Sequence, residues 1–253
     1  MTTDPTPPRP IPLPARLSVA FCACPPLLHP AVEGRATPET AALREACNEA
    51  VRAALVIDPE LVIVVGAPDR SNADSTPAPA RREPPRYGPG DRASLRPFGV
   101  EVDLPLDGAI RLDRRPVALS LGLGSWLLDG TGSPVARLGV GPDGLAYHLA
   151  HAPSSVMVLA MGDGSARRTL KAPGYLDEAA APFDTAVAAA LSAGDAAALA
   201  ALDEAEGERL LAAGVPVWRA VGAALTSRDV TAELLYDDAP LGVGYLVAHW
   251  TAG

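Results

Sequence analysis

Aromatic side chains are scarce in this chain of 253 residues: three Phe, three Trp and five Tyr make up 4% of it, against 48% hydrophobic residues overall. Any core must therefore be filled by Ala, Val and Leu. Lysine is almost missing, with Lys171 alone, and the abundant Ala and Arg beside it mark GC-rich coding rather than a function. Cysteine is limited to Cys22, Cys24 and Cys47, too few and too clustered for a disulfide framework, so reduced thiols and a cytoplasmic setting are expected. No apolar run approaches the roughly 18 residues of a membrane span, and the first 14 residues have neither the basic start nor the apolar core of a secretory signal. Net positive charge is absent as well. A formal charge of -9 offers no attraction to a polyphosphate backbone, which excludes nucleic acid as a general partner.

What is present organises as one large α/β domain over residues 15–253, behind a proline-dense tail over 1–14. Residues 17–23 read as a buried strand. Thr37-Pro38-Glu39 starts a helix that runs through 41–55, and the β-branched run 61–65 is a second strand covered on both faces. Strand, helix, strand is a βαβ unit. Residues 68–97 follow, dense in Pro, Arg, Asp and Ser, and read as a long flexible insertion without a packed core that leaves the carboxyl end of the second strand and lies over the site. Its Arg81, Arg82, Arg86, Arg92 and Arg96 either bind an anion or keep a solvated loop in water. Strands are further expected at 99–106, 116–123, 155–160, 231–236 and 243–250, and helices at 179–193, 196–202, 206–213 and 217–225. The resulting fold class is a single three-layer α/β domain, with a mostly parallel central sheet and helices on both faces.

Two segments carry the chemistry, and each follows an apolar strand at the sheet's carboxyl edge, where open α/β sheets bind ligands. In the first, Cys22, Cys24 and His29 either gather a soft metal such as zinc or pack as small hydrophobes, since alternation sends both cysteines to one face. In the second, Gly162-Asp163-Gly164-Ser165 precedes Ala166-Arg167-Arg168. Asp163, Ser165 and Arg167, joined by Lys171, either present backbone N–H groups and cations to a carboxylate or phosphate, or form a plain turn with Ser165 as helix cap. Ser165 is not a nucleophile, because no His–Asp partner can be placed beside it. His148 and His151 either share a helix face or form a surface pair. Near the end, Tyr236, Asp237 and Asp238 bring a phenol and two carboxylates to a turn, which either contacts ligand or is a turn and nothing more.

These residues carry a resemblance that spans nearly the whole chain. Cys24-Pro25-Pro26-Leu27-Leu28, Val64-Val65-Gly66, Met161 to Arg167 with Lys171-Ala172-Pro173-Gly174-Tyr175, Pro182-Phe183-Asp184, and Leu235 to Tyr245 resemble the B-subunit superfamily of class III extradiol ring-cleavage dioxygenases. That superfamily includes the Memo-like proteins, and the match is narrower to a branch found in high-GC bacteria. The resemblance implies non-haem Fe(II) held by two histidines and a glutamate, with a further histidine as acid/base, a donor set suited to that metal. Here Cys24 stands where the first histidine belongs, Gly66-Ala67-Pro68-Asp69 lacks the second, Ala166 replaces the acid/base, and Glu233 is the glutamate's counterpart.

Three readings follow. The chain is a pseudoenzyme-like member without the iron ligands, whose cleft keeps a small polar or anionic ligand and needs no cofactor. Alternatively it is an active non-haem metal oxidoreductase with a rearranged shell of Cys24, His29, Glu233 and another histidine around Fe(II) or zinc. The third reading is a non-catalytic interaction protein that docks through its Arg/Pro loop. Each leaves homo-oligomerisation open.

Overall fold

Strand β1 (Arg16–Cys22) is buried from Leu17 onward, and its apolar run is followed by a short 3-10 turn and the one-turn helix α1 (Pro30–Glu33) in the computed structural model, which describes residues 13–67, 83–107 and 115–253. Helix α2 (Pro38–Leu55) starts where the sequence predicts. Thr37 and Thr40 exchange side-chain and backbone hydrogen bonds in a capping box, and Pro38 occupies a first-turn position whose N–H has no helical partner. Strand β2 (Leu61–Gly66) follows, then the short strands β3 (Arg86–Tyr87), β4 (Arg92–Ser94) and β5 (Asp103–Pro105). Next come α3 (Leu119–Asp129), β6 (Ala136–Val140), α4 (Leu145–Ala150) and β7 (Ser155–Met161). The helices α5 (Ala180–Ala193), α6 (Ala196–Ala200), α7 (Glu204–Arg209) and α8 (Val215–Leu225) lead to a closing hairpin of β8 (Val230–Asp238) and β9 (Tyr245–Ala252).

The main sheet has the order β3-β6-β2-β7-β1-β9-β8, parallel through β6, β2, β7 and β1 and antiparallel at both edges. Helices cover both faces, as expected for a parallel sheet. On one side α2 and α3 pack Leu43, Cys47, Val51, Leu121 and Leu127 against Ala20, Val62, Val64 and Leu159. On the other, α4, α5, α6 and α8 bury Leu149, Val187, Leu191 and Trp218 against Val19, Ile63 and Val158. The few aromatics sit at the centre: Phe21 meets Trp250 edge-on at 4.9 Å, and the Trp250 indole N–H donates to the Leu191 carbonyl at 2.7 Å. Among the described residues no helix is long and apolar enough to cross a membrane.

Three expectations change. Residues 116–123 are not a strand, because Leu119 begins α3. The Leu-Gly alternation reflects a helix squeezed on all sides: a Cβ on Gly122 would stand 2.4 Å from the Ala93 Cβ, and one on Gly124 2.8 Å from Val64. Within 99–106 only β5 is extended, and it pairs with β4 outside the main sheet. Of the insertion 68–97, residues 68–82 lie outside the described residues, with Arg81 and Arg82, but the part from Glu83 is built into the fold. Ala93 and Leu95 are buried, and the Asp91 carboxylate accepts the N–H groups of Gly88 and Arg115 at 3.1 Å each. Of the tail, residues 1–12 lie outside the described residues, and the Pro14 carbonyl accepts a hydrogen bond from the Arg228 guanidinium at 2.9 Å.

The connections place the site. The chain leaves β1 across one face through α2 toward β2, and leaves the adjacent β7 across the other through α5 toward β8. Loops that diverge from neighbouring parallel strands open a crevice between them, and here that crevice lies between the ends of β1 and β7.

Candidate functional site

β1 and β7 run in register to Cys22 and Met161, so the two segments that stand out in the sequence emerge side by side. The Gly162 N–H extends the pairing by donating to the Cys22 carbonyl at 2.9 Å. One residue further, the Cys24 N–H donates to Asp163 Oδ1 at 2.7 Å, while the Asp163 carbonyl accepts from Gly214 at the start of α8 at 2.8 Å. The second carboxyl oxygen of Asp163 takes no hydrogen bond from a described residue. The protein atoms crowded around this carboxyl push it up to about 6, against the smaller opposing pull of the Cys24 N–H, and no cation among the described residues offsets the effect.

Tyr245, the first residue of β9, completes the arrangement. Only 3% of it is exposed, yet its hydroxyl has no hydrogen-bond partner among the described residues. Burial raises its phenol, and the charge of Asp163 raises it further. The hairpin register pairs Asp238 with Tyr245 and Tyr236 with Val247, which puts Tyr236, Asp238 and Tyr245 on the α2 face of the sheet. Asp237 is opposite Leu246 and faces the other way, where its charge falls on Asp184 of α5. The trio read as one turn is thus a strand end whose members divide between two faces. Tyr236 is raised by burial, by Asp238 and by Glu39 from the first turn of α2.

The Gly164-Ser165 half of the turn is engaged within the protein. The Gly164 N–H donates to the Gly244 carbonyl at 2.7 Å, the Ser165 N–H to Asp184 Oδ1 at 2.8 Å, and the Arg168 N–H to the Gly242 carbonyl at 3.0 Å. The Arg167 N–H donates to Ser165 Oγ at 3.2 Å, and the buried Ser165 hydroxyl donates to the Leu210 carbonyl at 2.7 Å. No helix begins here, since α5 starts at Ala180, so Ser165 is neither a helix cap nor part of an open anion cradle. The Arg168 guanidinium is paired with Asp184 at 2.8 Å, Arg167 reaches Asp177 at 3.9 Å, and Lys171 is exposed on the loop beyond.

The alternative metal shell is not assembled. Cys22 is buried with its thiol 3.8 Å from the Cys47 carbonyl, and Cys24 follows on the same sheet face, as alternation predicts. His29 caps α1, its Nδ1 accepting the Ala31 N–H at 3.2 Å, and its ring lies 5.0 Å from that of Trp126. Glu233 is exposed on the edge strand β8 opposite His249. His148 is 6% exposed in α4, so it is a buried residue rather than half of a surface pair, while His151 is exposed with its ring 4.3 Å from Tyr147. All four histidines are described, and among the described residues no group of three or more His, Cys, Asp or Glu could hold a metal ion. A shell of two histidines and a glutamate for Fe(II) therefore does not fit this site.

No family model matches this sequence, and a search of curated proteins finds no match. Sequence reasoning missed Tyr245 as a site residue. Its signal is a tyrosine opening the last strand, at the end of the sheet where the two loops emerge.

Proposed function

We propose that the chain is a Memo-like protein of the class III extradiol dioxygenase B-subunit superfamily that has lost the iron-ligand set and keeps the ligand position, where Asp163 holds a small polar molecule. The observation that carries this reading is the Asp163 carboxyl: it sits at the switch point of the sheet, with one oxygen fixed by the Cys24 N–H and, among the described residues, the other uncommitted and no cation beside it. A carboxyl kept charged and unpaired in such surroundings costs stability, which a bound donor would return. The engaged N–H groups of the Ser165 turn favour a polar hydrogen-bond donor over an anion. The matching residues around Cys24 and Asp163 lie on the two loops of this site, and the three cysteines, present as thiols, suit the cytoplasm.

Asp163→Asn in the full chain tests the reading. Because the folded pKa of Asp163, about 6, lies above its ordinary value of 3.8, its favourable contribution is present at low pH and is lost as pH rises through about 6. Asparagine is neutral and can still accept the Cys24 N–H. The unliganded variant should therefore melt at a higher temperature than the wild type at about pH 8, with the gain fading between about pH 6 and about pH 4, while retention of small molecules in native mass spectrometry falls. A variant that is less stable by the same amount across that whole pH range would make Asp163 a structural residue and defeat the proposal. Stoichiometric iron in freshly purified protein would defeat the claim of a lost ligand set.

A further inference from the structure

We propose that the ligand of this site is an organic cation, a primary amine whose ammonium group sits between the Asp163 carboxylate and the Tyr245 hydroxyl. This rests on the reading of Asp163 as a ligand-holding residue and adds the chemical class. Two independent observations point to it. Asp163 offers an oxygen that no described residue occupies, and Tyr245, with its ring buried, carries a hydroxyl oxygen that accepts from nothing in the described protein. The Gly164 N–H donates to the Gly244 carbonyl at 2.7 Å, and β7 and β9 flank β1, so Asp163 and Tyr245 stand at adjoining strand ends, and the charge of Asp163 is felt at Tyr245. An ammonium has three donors and no acceptor, and can satisfy both at once.

The distribution of charge selects the same class. Among the described residues Arg168 has Asp184 at 2.8 Å and Arg44 has Glu33, while Arg167 reaches Asp177 only at 3.9 Å and keeps a buried Nε without a hydrogen-bond partner, its charge not being among those that bear on Asp163. Asp163, Asp238 and Glu39, whose charges bear on Tyr245 and Tyr236, enter no ion pair among the described residues. The missing partner is thus a positive charge, and the phenol rings of Tyr236 and Tyr245 add faces that attract cations. An anion placed against Asp163 would meet that carboxylate and, with Asp238 and Glu39 bearing on the phenols beside it, further negative charge, so the carboxylate or phosphate read from the Gly-Asp-Gly-Ser-Ala-Arg sequence is the opposite of what Asp163 favours.

Three probes of one shape and different charge provide the test: benzylamine, benzyl alcohol and benzoate, each added to the full chain in thermal melts. At about 10 mM benzylamine should raise Tm by about 3–5 °C, the rise expected for a Kd near about 1 mM in a chain of this size. Benzyl alcohol should give a smaller rise, and benzoate none. Asp163→Asn should abolish the benzylamine rise, and Tyr245→Phe, which keeps the buried ring, should weaken binding several-fold. A rise that survives in both variants overturns the ammonium assignment. If benzyl alcohol or benzoate stabilises as strongly as benzylamine and the effect needs Asp163, the amine class is wrong while the reading of Asp163 stands. If no probe shifts Tm, the amine class falls, and the pH-dependent stability of Asp163→Asn then decides whether the reading of Asp163 falls with it.

Discussion

Asp184→Ala should lower the free energy of unfolding by about 3–5 kcal/mol, the range found when one partner of a buried ion pair is removed. Asp184 lies in α5 and is 1% exposed. Its Oδ1 accepts the Ser165 N–H at 2.8 Å, and its Oδ2 accepts the Arg168 guanidinium at 2.8 Å. Burial raises this carboxyl, while the Ser165 N–H and the Arg168 charge act against the shift. Truncation therefore leaves a poorly hydrated guanidinium and an orphaned backbone donor at the same time, which is why the loss exceeds that of one neutral hydrogen bond. Relief of repulsion from Asp237 returns a small part. Asp184→Asn keeps the volume and one acceptor and should cost clearly less. Urea unfolding of the two variants separates these contributions: near-wild-type stability for Asp184→Ala would mean that the pair contributes nothing and that the loop is held by packing alone.

Asp184 also shows how far the site was legible in the sequence. The β-branched run of β2 and the Thr37-Pro38-Glu39 start of α2 are local signals, and both elements form where those signals lie. The sequence places the Cys24 and Asp163 segments each after an apolar strand at the carboxyl edge, but that they lie side by side follows from the parallel pairing of β1 with β7, which inserts β7 between β1 and β2 and which no local signal carries. What each polar group touches does not follow from such signals. The Ser165 turn has the composition of an anion cradle, and only the approach of α5 and of Gly244 decides that its donors point into the protein. The Leu-Gly alternation of α3 carries a period of two, yet the segment is buried on nearly every side, so periodicity could not reveal its helix. Strand β6 went unseen because Arg137 and Gly139 interrupt a run of only five residues. Nothing local marks Tyr245, because the groups beside it, Asp163 and Cys24, are distant in the chain.

The second large effect is expected at Gly162, whose replacement by alanine should destabilise the protein by about 3 kcal/mol or more, beyond the ordinary range for adding one methyl group to a packed core. A Cβ there would stand 2.4 Å from the Gly214 Cα and 3.4 Å from its nitrogen, so the obstacle is backbone and cannot rotate away as the tip of a side chain would. Gly214 has no room to retreat either. A Cβ on it would lie 2.4 Å from Trp218 Cζ2, which places the Trp218 ring, among the largest fully buried groups of the protein, directly behind it. Relief therefore requires the start of α8 to move away from the end of β7, and that movement stretches the 2.8 Å hydrogen bond from the Gly214 N–H to the Asp163 carbonyl. Because the same residue carries the carboxyl held by Cys24, the alanine variant should lose ligand retention along with stability, whereas Asp163→Asn should lose retention while gaining stability at about pH 8. Gly88→Ala is the control, since nothing lies within 4 Å of its added Cβ, and its stability should stay within about 0.5 kcal/mol of the wild type. Thermal and urea unfolding of the three variants, with native mass spectra of each, checks the pattern. A Gly162→Ala protein as stable as the wild type would mean that α8 is free to shift away from β7, and the rigid support assigned to Asp163 would have to be abandoned.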